Sequence, residues 1–428
     1  MCLSTFVQVW ILKNGSPVPD KNIPVLFLTI ILASLSTIAP FSIDTYLPSF
    51  PSVASELDAS AIQMQQSLSL YMLGFAIMTL FSGSISDALG RRSITLVALF
   101  IYSITSLACA LVNDIDTFLW LRFLQGVAAS VGIVIGRAVV RDLYSGADAQ
   151  RMMSNVMLFF AMAPAVAPIV GGILEVSYGW RYIFIFLMLL GLLVFLMVAI
   201  RLPETLPHDQ RHSMHPVILL KNYMHAVTHL HFSLLALIVA FNFAGFFIYI
   251  TSSPELLFTH LGYAADDFYI MFVPVVLGIM LGSYLSARVS GQYSIMFIIA
   301  AGSVVMLLAS VLNILQAYWL PVSSLTVIAP VVLYGAGMAL TMPALTVLGL
   351  DQLPDHRGLA SSLQGFMQMG GNALVAGVVT PLVFHSVSGL ALSMISFHLI
   401  GLIMFIWVSR SLRRTNELDP APAARDNH

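Results

Sequence analysis

The sequence predicts an all-α membrane protein, with twelve transmembrane helices arranged as two six-helix pseudo-repeats. Hydrophobic residues make up 59% of the chain and charged residues only 9%, against about 25% charged in a soluble protein, so lipid has to be the solvent. From residue 25 to residue 409, apolar stretches of spanning length alternate with short polar connectors. The longest connector, from Pro203 to about His231, divides six stretches from six.

A helix needs roughly 20 apolar residues to cross the hydrocarbon core. The first candidate, 25–46, ends where Asp44 and "YLPSFP" interrupt the apolar run. Segments 62–82 and 93–112 flank "GSISDALGRR", Gly83 to Arg92, which sets an acid and two arginines in what reads as one short turn. Segment 117–138 holds Arg122 and Gln125, and 152–173 holds two prolines and two glycines in "APAVAPIVGG". The sixth, 181–201, closes the first half. After the connector, 232–252 contains the aromatic stretch "FNFAGFFIYI", and 267–286 leads into "GSYLSARVSGQ". Segments 293–313 and 324–349 follow, the second ending just before Asp351. Segment 359–381 spaces Gln364, Gln368 and Asn372 four residues apart, and 389–409 leads into a basic tail. The expected organisation is an N-terminal cytoplasmic or interfacial segment 1–24, a bundle 25–202, a central cytoplasmic loop 203–231, a second bundle 232–409 and a cytoplasmic tail 410–428.

Orientation follows from the 18 Lys and Arg. With the N-terminus inside, sixteen fall on the cytoplasmic side, including Arg91, Arg92, Arg137, Arg141, Arg201, Arg288 and Arg357, while Arg181 lies outside and Arg122 lies within a span. The outer loops carry acids such as Glu56, Asp58, Asp114 and Asp116, so the inverted topology violates the positive-inside rule at nearly every connector. Both termini are expected in the cytoplasm. The stretch "FVQVWIL" within the first 22 residues is too short to span and lacks a basic start and a cleavage site. It reads either as an interfacial segment or as a start placed too early.

Several function classes are excluded or disfavoured. Cys2 and Cys109 give neither a disulfide framework nor a metal-ligand spacing. The net charge of −2 and the lack of a basic tract argue against a nucleic-acid partner. No Gly-x-x-x-x-Gly-Lys loop occurs, so ATP is not the expected energy source and a gradient remains. A membrane-embedded enzyme would need a His with an acid, a metal set, or a nucleophile with a base at one face; His385 and His398 stand alone. The connector histidines His208, His212, His215, His225, His229 and His231 invite a metal or pH-sensing role, but no tight ligand spacing recurs and solvated loop histidines are the plainer reading. No cofactor and no metal are expected.

The two halves echo each other. Gly126 is followed by Asp142 in the fourth segment and Gly335 by Asp351 in the tenth, both pairs offset by 209 residues. Each Asp opens a short loop that also carries Arg151 or Arg357. Paired six-helix bundles meeting at a central cavity are the architecture of many secondary transporters; a chance match of two hydrophobic helices is the alternative.

Ionisable side chains at membrane depth are costly and mark functional positions by default. Asp44, about three residues before Leu47 and Pro48, and Arg122, about five residues into the fourth segment, both fall within roughly 5–8 Å of the outer boundary at 1.5 Å per residue. They sit at matching depth and are placed to pair. Burial favours a neutral carboxyl and an adjacent guanidinium an ionised one, so Asp44 is expected to exchange a proton as its access to water and to Arg122 changes. A helix-end Asp that is permanently paired, or caps a loop, is the other reading. Arg122 keeps its proton and would tune Asp44 or orient cargo. In "GSISDALGRR", Gly83 and Gly90 permit close approach and a tight turn, while Asp87 facing Arg91 and Arg92 either latches neighbouring helices or forms a solvated turn that anchors topology. The matching stretch after the eighth segment keeps Gly282 and Arg288 but has Ser286 where an acid would correspond.

Four stretches in order carry a resemblance to the major facilitator superfamily. "GSISDALGRR" resembles the signature between its second and third helices, with Ala88 where an Arg usually follows the Asp. "LRFLQGVAAS", Leu121 to Ser130, is similar to its helix 4 motif, with Arg122 in the place of the buried arginine. "APAVAPIVGG", Ala163 to Gly172, resembles the helix 5 motif of the drug/proton antiporter branch, with Ala167 before Pro168 where glycine is more usual. "SIDTYLPSFP", Ser42 to Pro51, resembles the end of helix 1 in the bicyclomycin-resistance (Bcr/CflA) subfamily.

The resemblance implies the major facilitator fold and proton-coupled efflux of small amphipathic compounds by alternating access. Export or import of a metabolite such as a dipeptide or sugar is the alternative on the same fold. Asp44 and Arg122 become the implied coupling pair, and Gly83, Asp87, Gly90, Arg91 and Arg92 the latch. Pro164, Pro168, Gly171 and Gly172 form the implied helix 5 bend that restrains leakage. Helices 1, 4, 7 and 10 line the cavity in the superfamily. The cargo candidates are accordingly Tyr46, Gln125, Asn242, Phe246, Tyr249 and Tyr334, with Gln364 and Gln368 from the polar stripe of the eleventh segment. The 22 Met and 27 Phe among few fixed charges suit a permissive pocket. Expected partners are small-molecule cargo, protons and the lipid bilayer, with a monomer sufficient because one chain holds the whole pathway.

Overall fold

In the computed structural model, residues 24–207, 211 and 216–414 are described. The readings for residues 1–22, for His208, His212 and His215, and for the tail beyond 414 lie outside the described residues. Among the described residues twelve helices are long and apolar enough to cross a membrane. They are α1 Val25–Asp44, α2 Ala61–Leu89, α3 Arg91–Leu111, α4 Ile115–Leu143, α5 Gly146–Tyr178, α6 Trp180–Arg201, α7 Leu230–Thr251, α8 Tyr269–Val289, α9 Ile295–Trp319, α10 Ser324–Asp351, α11 Arg357–Leu374 and α12 Val387–Arg414. A short helix Phe50–Glu56 follows α1, another spans Pro216–Thr228 in the connector, and α11 continues through a π turn Val375–Val379 into Thr380–Val383. No named strand occurs among the described residues.

Each expected span has its helix, and the ends explain the differences. α2 and α4 are 29 residues long, about 44 Å, against a hydrocarbon core of about 30 Å. Backbone hydrogen bonding carries the helix past its apolar window into the polar boundary. The turn expected over Gly83–Arg92 therefore contracts to Gly90, which takes φ 101° between α2 and α3. A side chain there would also strike the Glu204 carboxylate. Gly83 is helical, and a Cβ on it would meet only Val134 Cγ1, at 3.9 Å. The close approach expected of Gly83 is thus corrected.

Within each half the second and fourth helices touch at backbone level. A Cβ on Gly74 of α2 would press the Phe123 carbonyl of α4 and stand 3.2 Å from Val127 Cγ2. A Cβ on Gly278 of α8 would stand 2.6 Å from the Val332 carbonyl oxygen of α10, and one on Gly282 would press the Ala336 carbonyl. Phe123 and Val332, like Val127 and Ala336, are 209 residues apart. The offset read from the sequence recurs in the packing, although Gly126 abuts the Tyr71 backbone whereas Gly335 meets side chains of Ile279 and Phe246.

The halves join at the end that carries Asp44. Gln65 Nε2 on α2 donates to the Thr251 carbonyl (2.9 Å), and Ser69 Oγ donates to the Ala373 carbonyl (2.7 Å). Gly172 of α5 lies against the backbone of Ala265. Towards the opposite, arginine-rich end, Tyr223 of the connector helix donates to the Leu80 carbonyl (2.7 Å). Burial pushes the Tyr223 phenol up to about 12, so it stays a donor across ordinary pH. Among the described residues α4 and α5 make no extensive contact with α10 or α11. The bundle is held closed at the Asp44 end and is more loosely joined where the arginines lie, which is therefore the parted end.

Candidate functional site

Arg122 is fully buried about two turns into α4. Its NH1 donates to Gln125 Oε1 (2.5 Å) and its NH2 to the Ser42 carbonyl (3.1 Å), while Gln125 Nε2 reaches Ser106 Oγ (2.7 Å). The guanidinium carbon lies 4.9 Å from the centre of the Tyr46 ring, 4.6 Å from Tyr71 and 5.8 Å from Phe184. Tyr102 closes the group, its hydroxyl 2.6 Å from Ser42 Oγ. Cation–π contact and two charge-assisted hydrogen bonds offset the loss of water, so the charge is held by four helices of the first half and the end of α1.

Asp44 is buried, with 5% of its surface exposed. The expected pair does not form: among the described residues no cation lies within 4.0 Å of its carboxylate and no hydrogen bond satisfies it. Arg122 is turned away by its own partners. Tyr71 stands within electrostatic reach of both charges. Along α1 the positions that are not buried are Val25, Leu26, Phe27, Ile30, Ser34, Thr37, Pro40, Phe41 and Ile43. Of these Ile30, Ser34, Thr37 and Phe41 are spaced as one helical face, and Asp44, itself buried, stands in line with the end of that face. One residue on, the Thr45 carbonyl touches Gly171 so closely that α5 tolerates no Cβ there. Gly171 thus abuts the chain just past the end of α1, and Gly172 abuts the second half. α5 runs unbroken through Pro164 and Pro168.

The charged turn is a network. Arg91 meets Asp87 (2.5 Å), Asp142 at the end of α4 (3.2 Å) and Ser86 Oγ (2.5 Å). Its backbone N–H donates to Glu204 (2.8 Å), which also pairs with Arg211 (3.6 Å). Thr205 donates to Asp142 (2.9 Å), and Arg92 donates to the Ala199 carbonyl (2.6 Å). All these partners belong to the first half and the start of the connector, so the cluster ties α2, α3, α4 and the exit of α6 together. In the second half, among the described residues Asp351 pairs only locally, with Arg357 (2.8 Å).

The cargo candidates are mostly inside the bundles. Tyr46 and Gln125 serve Arg122. Tyr334 donates to the Asn242 carbonyl (3.1 Å), His398 Nδ1 lies 3.4 Å from Asn242 Oδ1, and Asn313 donates to Tyr249 (2.6 Å). Phe246 is buried and Gln364 donates to Thr346 (3.1 Å). Of that set only Gln368 is not buried. Sequence reasoning missed Glu204 and Asp142 as partners of Arg91, and Tyr71 and Tyr102 around Arg122. For Tyr71 and Tyr102 a polar atom on an otherwise apolar helix was the available signal; Glu204, past the end of α6, carried none.

Comparison with known proteins places this geometry. The sequence profile described as Major Facilitator Superfamily matches residues 32–376. An uncharacterized MFS-type transporter, YdgK of Bacillus subtilis, is 35% identical over 84% of this chain and 88% of its own length. A bicyclomycin resistance protein homolog of Haemophilus influenzae is 27% identical over 92% of this chain and 98% of its own. A chloramphenicol resistance protein of Pseudomonas aeruginosa is 30% identical over 72% and 73%. Among solved structures, a bacterial homolog of the human lysosomal transporter Spinster, inward-facing and occupied, superposes with a TM-score of 0.68 at 18% identity, covering 93% of this chain and 98% of that one.

Proposed function

Because the chain belongs to the Major Facilitator Superfamily, in its drug/proton antiporter branch and close to the Bcr/CflA subfamily, we propose that it exports small amphipathic compounds across the bacterial inner membrane in exchange for protons. The names of its relatives suggest bicyclomycin-like and chloramphenicol-like cargo. The arginine-rich end faces the cytoplasm under the positive-inside rule, so the parted end admits cargo from the cell.

The observation that carries this reading is the buried, unpaired carboxyl of Asp44 at the closed end of the accessible face of α1. A charge left there without a partner is expensive, which favours a proton on Asp44 while that end is shut. Opening that end requires the Gln65 and Ser69 hydrogen bonds to break, and it admits water to Asp44. The fixed positive charge of Arg122 nearby then competes with the proton. Cargo and proton bias opposite-facing states, and coupling is that difference in affinity.

Everted membrane vesicles test this. One proton exchanged per cargo across one pH unit supplies about 1.4 kcal/mol, about a tenfold accumulation ratio. Labelled bicyclomycin or chloramphenicol is expected to accumulate when the lumen is acidified and to drain on adding a protonophore. Accumulation indifferent to the protonophore would overturn proton exchange, and no accumulation of any amphipathic compound in a panel would overturn drug export.

A further inference from the structure

Arg137 and Arg141 lie one turn apart on one face of α4, and both are exposed. Arg137 is six residues inside the helix end at Leu143, about 9 Å along the axis, flanked by buried Ile135, Gly136, Ala138 and Val139. A guanidinium finds no partner in hydrocarbon and keeps its proton. Its exposed face therefore borders water or headgroups at the parted end of the bundle.

The described acids at that end are engaged elsewhere. Asp87 and Asp142 hold Arg91, Asp148 holds Arg151, Glu204 holds Arg211 and the Arg91 amide, and Asp351 holds Arg357. Among the described residues none forms an ion pair with Arg137 or Arg141. Like charges one turn apart repel, so the pair is destabilising until an anion bridges it. An arginine fork suits an oxyanion, which it grips through two parallel hydrogen bonds.

We propose that Arg137 and Arg141 form a binding position for the oxyanion of an acidic amphiphile, a carboxylate, sulfonate or phosphate carried on an apolar body. As a statement about cargo it deepens the efflux reading and rests on it. The phosphate of a bilayer lipid offers the same chemistry, and the experiment separates the two sources.

The purified full chain is placed in nanodiscs of phosphatidylcholine and titrated with 1-anilinonaphthalene-8-sulfonate and with its uncharged parent, N-phenyl-1-naphthylamine, after subtraction of empty discs. Arg137→Gln is expected to weaken binding of the sulfonate about tenfold and to leave the uncharged probe unchanged; Arg137→Lys retains part of the preference. Equal sulfonate binding by native chain and variant overturns the proposal, and so does a parallel loss of both probes, which marks a packing role. In discs containing phosphatidylglycerol, loss of sulfonate binding by the native chain but not by Arg137→Gln assigns the position to lipid phosphate. Unchanged binding assigns it to cargo, and either assignment supports an oxyanion site. The discs hold no gradient, so this result stands or falls separately from proton exchange in vesicles.

Discussion

Arg122→Met inserts and folds but loses gradient-driven transport by about tenfold or more. The substitution leaves Gln125 Oε1 and the Ser42 carbonyl without their donor, at roughly 1–3 kcal/mol for each buried acceptor. It also ends the burial of a cation that has no carboxylate within 4.0 Å among the described residues, which offsets much of that cost. Thermal unfolding is therefore expected within a few degrees of the native chain, while transport falls because the fixed charge near Asp44 is gone. Arg122→Lys should fall between the two. It keeps the charge but cannot hold Gln125 and Ser42 in one fork while lying over Tyr46 and Tyr71. Native transport rates in Arg122→Met would reduce the caged arginine to a packing element.

Cross-linking α2 to α11 should arrest the carrier. A Cβ on Gly377 would lie 2.9 Å from Ser69 Cβ, slightly inside the usual spacing for a disulfide of about 3.5–4.5 Å, so a small adjustment admits the bond. The double variant Ser69→Cys, Gly377→Cys is expected to bind cargo from the arginine-rich end when oxidised and to lose at least about nine-tenths of its transport, a tenfold change. Dithiothreitol should restore it. The native chain, with Cys109 buried, is the control for oxidant alone. Full transport by the oxidised, cross-linked variant would mean that the Asp44 end does not open between α2 and α11.

The spans were legible because lipid imposes a length and an apolar composition on each of them, and the 209-residue offset because the second and fourth helices of each half meet at backbone distance. The region of α1 that Arg122 reaches is near Asp44, since its NH2 meets the Ser42 carbonyl two residues earlier. Depth fixes position along a helix but not rotation about it. Arg122 turns towards Tyr71, Tyr102 and Gln125, and Asp44 stands in line with the end of the accessible face of α1, so nearness does not make an ion pair. The same limit explains the cargo set: a hydroxyl or amide on an apolar helix must find a hydrogen bond in lipid surroundings, and Tyr249, Tyr334 and Gln125 find theirs inside their own half. Glu204 was illegible as a partner of Arg91 because 113 residues separate them and nothing local marks the contact.

The most direct measurement compares the native chain with Asp44→Asn in the same vesicles, reading both gradient-driven accumulation and gradient-free exchange of labelled cargo. Asparagine fills the same space but cannot take up and release the proton. The expected result is loss of accumulation with exchange retained, since the empty and loaded states still interconvert when no proton is required. An Asp44→Asn chain that accumulates cargo to the native level against the same gradient would contradict the assignment and leave Asp44 a structural end to α1.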